Sequence, residues 1–171
     1  MVDYESLYQQ FDGHLSCGSC VGLCCLNAGA VVLFPGEANY LASIVPGAHD
    51  KIGMKMIAGQ KIEYISQPCP FHVGERCVLG EVRPLDCRLY PFDWCINGNR
   101  VEIFFSRDCQ AAKLEQSQRK EMQKYIRKLL TGFSREWLRA ASLFGPCGLC
   151  GKRDTRNCEL WEPDGYNMEE W

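Results

Sequence analysis

Residues 17 to 25 read CGSCVGLCC, four cysteines within nine positions with the last two adjacent. A C-x2-C pair puts two thiolates on one tight turn, close enough to grip one metal centre, and the spacing recurs in zinc and iron–sulfur sites. Cys17 and Cys20 form that pair, with Gly18 between them and Gly22 just after. Glycines let the backbone curl round a centre and turn amide N–H groups toward sulfur. Cys24 falls four residues after Cys20, within reach of the same centre. Cys24 and Cys25 project differently because they are neighbours, so different roles are expected of them.

Twelve cysteines occur in the 171 residues, and they are either tied to each other or to metal. The opening MVDYESLYQQFDG has neither the basic start nor the apolar run of a secretory signal, which predicts a cytoplasmic protein. Structural disulfides are rare in that reducing compartment, where clustered thiolates more often bind metal. Zinc and an iron–sulfur cluster both accept four thiolates, so the surroundings have to separate them. Between Asp12 and Glu37 the chain has no Asp, Glu, Lys or Arg, and Val21, Leu23, Leu26, Val31, Val32 and Phe34 surround the cysteines. Such a dry shell limits solvent access and protects cluster sulfides. Pro70 follows Cys69 and Pro146 precedes Cys147, a habit of ferredoxin loops. The sequence favours an iron–sulfur cluster, with a 4Fe–4S centre (one or more) as the preferred cofactor and zinc as the alternative.

CGSCVGLCC is followed by CPFHVGERCVLGEVRPLDCRLYPF and then SRDC. In order and residue type this resembles the YkgJ-type cysteine-cluster family, described as zinc- or iron-chelating proteins. The resemblance spans residues 15 to 110, more than half of the chain. It implies a metal-chelating domain with Cys17, Cys20, Cys24, Cys25, Cys69, Cys77, Cys87 and Cys109 on or near the pattern. Related cysteine-rich domains occur beside a flagellin lysine methylase, but the resemblance implies no reaction for a stand-alone member. Cys95, Cys147, Cys150 and Cys158 fall outside it.

Cys69, Cys77 and Cys87 are spaced too widely for one loop, so a hairpin and a proline turn are expected to carry them to the N-terminal cysteines. Arg83 and Arg88 flank Cys87, and Arg76 precedes Cys77. A guanidinium near a thiolate-bound centre offsets its negative charge and donates hydrogen bonds to sulfur, so Arg83 and Arg88 are candidate cluster-binding residues. The alternative is that they pair with Asp86 or Asp93. At the other end, GPCGLCGKRDTRNC supplies Cys147, Cys150 and Cys158, and no charged residue occurs between Arg139 and Lys152. A second four-thiolate centre there needs one more ligand, from Cys109 or Cys95.

Other chemistries find no support. His14, His49 and His72 are too dispersed for a histidine site, and His14, three residues before Cys17, is the one candidate substitute ligand. Paired carboxylates, a phosphate-binding glycine loop and a G-x-S-x-G elbow are all missing, so no catalytic constellation defines an enzyme. Thioredoxin-type exchange needs one C-x2-C pair, not twelve cysteines.

The elements that must position these cysteines are short. Tyr4, Leu7, Tyr8 and Phe11 make the stripe of an amphipathic helix, and Pro35 to Val45 predicts another, stopped by Pro46-Gly47. KIEYIS alternates like a strand, and CPFHVGERCVL reads as two extended pieces around Gly74. DWCINGNRVEIFF predicts a hairpin with Asn97-Gly98 in its turn. A helix is expected from Ala111 to Leu130 with Met122, Tyr125, Ile126, Leu129 and Leu130 on one face. Gly132 breaks it, and Ser134 caps a further helix carrying Trp137, Leu138, Ala141 and Phe144. The rest reads as loop and tail.

The resulting expectation is an α+β fold, small and loop-rich, stabilised by metal, with short helices, a β-hairpin region and a C-terminal helical segment. Residues 1–110 form the cysteine-cluster part and 111–171 a helical extension packed with it. Eight Lys/Arg against three acidic residues from Lys113 to Arg139, and five acidic residues with no basic one from Glu159 onward, read as solvated faces. The net charge of −2 gives no pull toward nucleic acid or an anionic membrane, and no apolar run is long enough to span a bilayer. The expected partner is another protein. The expected function is electron transfer, or an accessory or assembly role in a larger enzyme system. A zinc-stabilised interaction module without redox chemistry is the alternative.

Overall fold

The computed structural model describes residues 2–9, 25–26, 29–74, 76–106, 116–144, 158–160 and 166–167. The described chain is α+β, built from short helices and small antiparallel sheets. In order it runs α1 (Tyr4–Gln9), β1 (Val31–Leu33), α2 (Glu37–Ile44), β2 (Gly53–Ile57), β3 (Gln60–Ile65), β4 (His72–Val73) and β5 (Arg76–Cys77). It continues with α3 (Leu85–Leu89), β6 (Phe92–Asn97), β7 (Arg100–Ser106), α4 (Gln116–Leu130), α5 (Arg135–Phe144), β8 (Cys158–Leu160) and β9 (Tyr166–Asn167). No described helix is long and apolar enough to cross a membrane.

Strand β1 is the partition of the fold. Successive side chains on a strand point to opposite faces, and all three residues of β1 are buried. Val32 joins a large core with Tyr4, Tyr8, Phe34, Ile62, Leu85, Trp94, Ile126 and Leu138. Val31 and Leu33 join a smaller one with Ala38, Leu41, Ile65, Phe71 and Leu79. The large core takes residues from Tyr4 to Ala141, so the C-terminal helices and the cysteine-bearing part share it. Cys69, Cys77 and Cys87 all pack against the small one.

The first sheet has the order β1–β3–β2. Its β2–β3 hairpin carries no sequence signature, because the two residues between Ile57 and Gln60 are Ala58 and Gly59. Both take positive φ, 48° and 78°, as a type I′ turn requires. In the second sheet β7 is flanked by β6 on one side and by β8 and β9 on the other. The β6–β7 hairpin forms where expected but turns one residue later: Asn97 pairs with Arg100, so Gly98 and Asn99 make the turn. Only Gly98 has positive φ (62°), the arrangement of a type II′ turn with glycine first. Asn97 instead donates from Nδ2 to Glu102 Oε1 at 2.9 Å. The supposed tail also differs from expectation, since Cys158–Leu160 and Tyr166–Asn167 add strands to β7.

The helices follow the sequence pattern closely. Met122, Ile126, Leu129 and Leu130 are buried on α4, and the Ser134 hydroxyl caps α5 by accepting from Trp137 N at 3.2 Å. Helix α5 packs on both sheets: Ile96 N donates to Ser142 Oγ at 2.9 Å, and Phe144 lies against Tyr64 at 4.6 Å between ring centroids. Phe11 and residues 111–115, which the expected helices include, lie outside the described residues. The β2–β3 turn supplies a test. An L-residue in left-handed conformation is disfavoured by about 1–2 kcal/mol, and asparagine tolerates it best. Ala58→Asn should raise stability by about 0.5–1 kcal/mol in urea unfolding, and Ala58→Val should lower it.

Candidate metal centre

Three cysteines pack against the small core. Cys69 lies in the loop after β3, Cys77 on β5 and Cys87 on α3, each half-buried. The Cys69 amide donates to the Cys25 carbonyl at 2.9 Å, which fastens the end of the CGSCVGLCC loop to the second cysteine segment. The Cys69 carbonyl accepts from His72 N at 3.0 Å, closing the turn that starts the β4–β5 hairpin. In that hairpin His72 is paired directly with Cys77, and the Val78 N to Phe71 O bond at 2.9 Å extends the pairing. Among the described residues no disulfide joins any two of Cys25, Cys69, Cys77, Cys87 and Cys95. No group of three His, Cys, Asp or Glu among the described residues is placed to hold a metal ion. Cys17, Cys20 and Cys24 lie outside the described residues.

Helix α3, which presents Cys87, has five residues and is too short to persist by itself. Three ionisable side chains hold it. Glu37, completely buried at the start of α2, accepts at Oε1 from Leu85 N (2.7 Å) and from the Tyr8 hydroxyl (2.7 Å), and at Oε2 from Phe34 N (2.9 Å). Asp86 accepts at Oδ2 from Val32 N at 2.9 Å. Arg88 donates from Nε to Arg83 O (2.8 Å) and from a terminal nitrogen to Tyr8 O (2.9 Å), with its guanidinium 4.4 Å from the Tyr8 ring centroid. Tyr4, Tyr8 and Tyr40 pack together, and Tyr4 donates to Pro35 O at 2.9 Å. Residues on both sides of Cys87 are therefore tied to α1, β1 and α2.

Burial dominates the electrostatics of this lock. It pushes the Glu37 carboxyl up to about 7, against the opposing pull of the Tyr8, Leu85 and Phe34 donors and the Arg88 charge. It pushes Asp86 up to about 8, the charge on Asp93 adding to the effect and the Val32 amide resisting it. Burial and the neighbouring Glu37 carboxylate also raise the Tyr8 hydroxyl far above the ordinary phenol range.

The two candidate arginines part company. Arg88 is buried and engaged with backbone carbonyls and Tyr8. Among the described residues Arg83 Nε is buried with no hydrogen-bond partner, and so is His72 Nε2. An unmade hydrogen bond on a buried polar atom costs about 1–3 kcal/mol, so such atoms ask for a partner outside the described protein atoms. Both atoms belong to the chain segment that carries Cys69, Cys77 and Cys87. A thiolate-bound metal or cluster fits them: it offers acceptors to a guanidinium and a ligand position to an imidazole.

Cys95 sits elsewhere. It is buried on β6, and its thiol faces Glu102 Oε2 at 3.8 Å. Cys158 pairs with Ser106 on β7, whereas Cys95 pairs with Glu102. Four residues of strand separate these positions by roughly 13 Å, with two strand spacings of about 4.8 Å across. That is too far for two cysteines sharing one metal at about 2.3 Å from each sulfur. The register therefore separates Cys95 from Cys158. Cys109, Cys147 and Cys150 themselves lie outside the described residues.

Glu37, Tyr8 and Asp86 have no place in a sequence reading built on cysteines. Their only signal is an acidic residue in the first turn of α2 and tyrosines on the apolar stripe of α1. Comparison with protein-family models, with curated proteins and with solved structures finds no match to this chain.

Glu37 generates a prediction with a definite sign. Its folded value of about 7 stands above the ordinary 4.5, so the folded state holds the proton more tightly and stability from this group falls as pH rises from about 4.5 to about 7. Glu37→Gln leaves one acceptor oxygen for three donors and should cost about 1–3 kcal/mol at pH 5. In denaturant titrations that deficit should shrink toward pH 8, where the wild type must hold a buried charge.

Proposed function

We propose that this is a metal-binding protein of the cysteine-cluster type whose centre is an iron–sulfur cluster, serving electron transfer or acting as an accessory or assembly subunit of a larger enzyme system. The observation that carries the reading is the Cys69–Cys25 backbone bond, with Cys69 and two further thiols, Cys77 and Cys87, packed on one apolar core. It fastens the end of the CGSCVGLCC loop to the CPF segment, two successive parts of the pattern that resembles the YkgJ-type family. The aliphatic and aromatic wall of Val31, Leu33, Leu41, Ile65, Phe71 and Leu79 suits a cluster that must be kept from water.

The chain's own residues would then divide the work. Cys69, Cys77 and Cys87, with thiolates from the 17–25 loop, would hold the metal. Arg83 would donate from Nε to sulfur and lower the cost of gaining an electron. Arg88, Glu37 and Asp86 would keep Cys87 in place without touching the centre. A bound cluster supplies one-electron chemistry at a potential set by charge, hydrogen bonds and burial. A second reading, zinc as a structural ion, is favoured by His72, since three thiolates and one imidazole are a common zinc set.

Anaerobically purified protein should be brown, with iron and acid-labile sulfide in equal amounts and little zinc. Colourless protein with stoichiometric zinc and no iron would replace the first reading by the second. The arginines provide a finer test. Arg83→Gln should leave the metal content unchanged and lower the reduction potential of the centre. Arg88→Gln should lower thermal stability, because it leaves the Tyr8 and Arg83 carbonyls short of a donor.

A further inference from the structure

We infer that His72 is a metal ligand through Nε2, acting beside Cys77, so that the centre is held by a mixed set of thiolates and one imidazole. The inference rests on the proposed metal-binding function and goes beyond it by assigning a non-cysteine ligand. From spacing alone His14 is the stronger histidine candidate, three residues before Cys17, and His72 looks isolated. The fold gives His72 a position beside a cysteine, while His14 lies outside the described residues.

His72 stands directly opposite Cys77 on the β4–β5 hairpin. Directly paired residues project to the same face of a hairpin, with Cβ atoms about 4.5–5.5 Å apart. That leaves an imidazole nitrogen and a cysteine sulfur within reach of one ion. Cys77 packs on the small core, and Cys69 is joined to His72 by the backbone bond that closes the turn. Nε2 is the ring nitrogen farther from the backbone; it is buried and meets no donor or acceptor among the described residues. A buried imidazole nitrogen in that position is open to a Lewis acid, and neutral imidazole is the commonest metal-binding side chain. Gly74, with φ of 64°, turns the hairpin tightly enough to keep the two residues in register.

Such a ligand has a consequence that four cysteines lack. Replacing one thiolate by neutral imidazole removes one negative charge from the centre, and histidine ligation raises the potential of iron–sulfur centres.

The experiment compares the full-length wild type with His72→Gln, His72→Cys and His14→Gln, all purified anaerobically. Metal and sulfide per chain are measured first. Pulsed EPR of the dithionite-reduced iron form then looks for a strongly coupled nitrogen, with imidazole-labelled histidine to assign it. If the metal is zinc, cobalt substitution reads the ligand set from the visible spectrum. The expected result is a coupled nitrogen in the wild type and in His14→Gln, at least a twofold loss of metal in His72→Gln, and recovery of metal in His72→Cys with an all-thiolate spectrum. Recovery by cysteine separates lost ligation from misfolding. A wild type that binds metal but shows no coupled nitrogen, or a His72→Gln variant with unchanged spectrum and metal content, overturns the assignment of His72 alone. A wild type that binds neither iron nor zinc overturns the metal-binding function together with it.

Discussion

A single buried carboxylate holds together three stretches of chain that share no secondary structure. Glu37 accepts from the Tyr8 hydroxyl on α1, from Phe34 N just after β1 and from Leu85 N at the start of α3. Without it the N-terminal helix would lose a polar anchor and the short α3 would lose a contact beside Cys87. Burying a carboxyl is costly unless its hydrogen bonds are made, and here three donors from three directions make them. The same arrangement explains why an acidic residue can sit at the centre of a core otherwise made of tyrosine, phenylalanine and leucine.

Around this lock the protein divides its apolar surface at β1. The larger core is complete in itself: aromatic side chains such as Phe34, Phe133 and Trp137 meet at centroid distances of 4.9–5.7 Å. Cys69, Cys77 and Cys87 pack against the smaller core, and the same stretch of chain carries the buried His72 Nε2 and Arg83 Nε, which meet no hydrogen-bond partner among the described residues. A loop-rich region of this size gains a large fraction of its stability when a metal joins distant segments, as a crosslink would. In this account the thiol-bordered face is where the metal completes the fold, and the charged lock on α3 fixes one of its ligands beforehand.

Much of this was legible in the sequence. Helical periodicity located α4 and α5, Ser134 announced its cap, and Gly74 marked the turn between Cys69 and Cys87. Other features escaped for identifiable reasons. Strand β1 has three residues, too few to show a period, and it is buried on both faces. The β2–β3 hairpin turns on Ala58, which carries no turn signal. The β6–β7 turn slipped by one residue because Asn97 is engaged by Glu102, leaving glycine to open the turn. Strands β8 and β9 gain their pairing from β7, so local composition could not reveal them. At the candidate centre, cysteine spacing was readable, whereas the His72–Cys77 pairing and the burial of Arg88 and Glu37 arise only from long-range contacts.

The central claim is that metal completes the small core while the large core stands without it. Amide hydrogen exchange on the metal-loaded and chelator-treated protein tests this most directly. The account predicts that removal of metal strips protection from the Cys69, His72 and Val78 amides, whose bonds to Cys25, Cys69 and Phe71 border the thiols. Val101, Ile103 and Phe105 on β7 and the amides of α5 should keep theirs. Equal loss across both regions, or no loss at Cys69 and Val78, would contradict it.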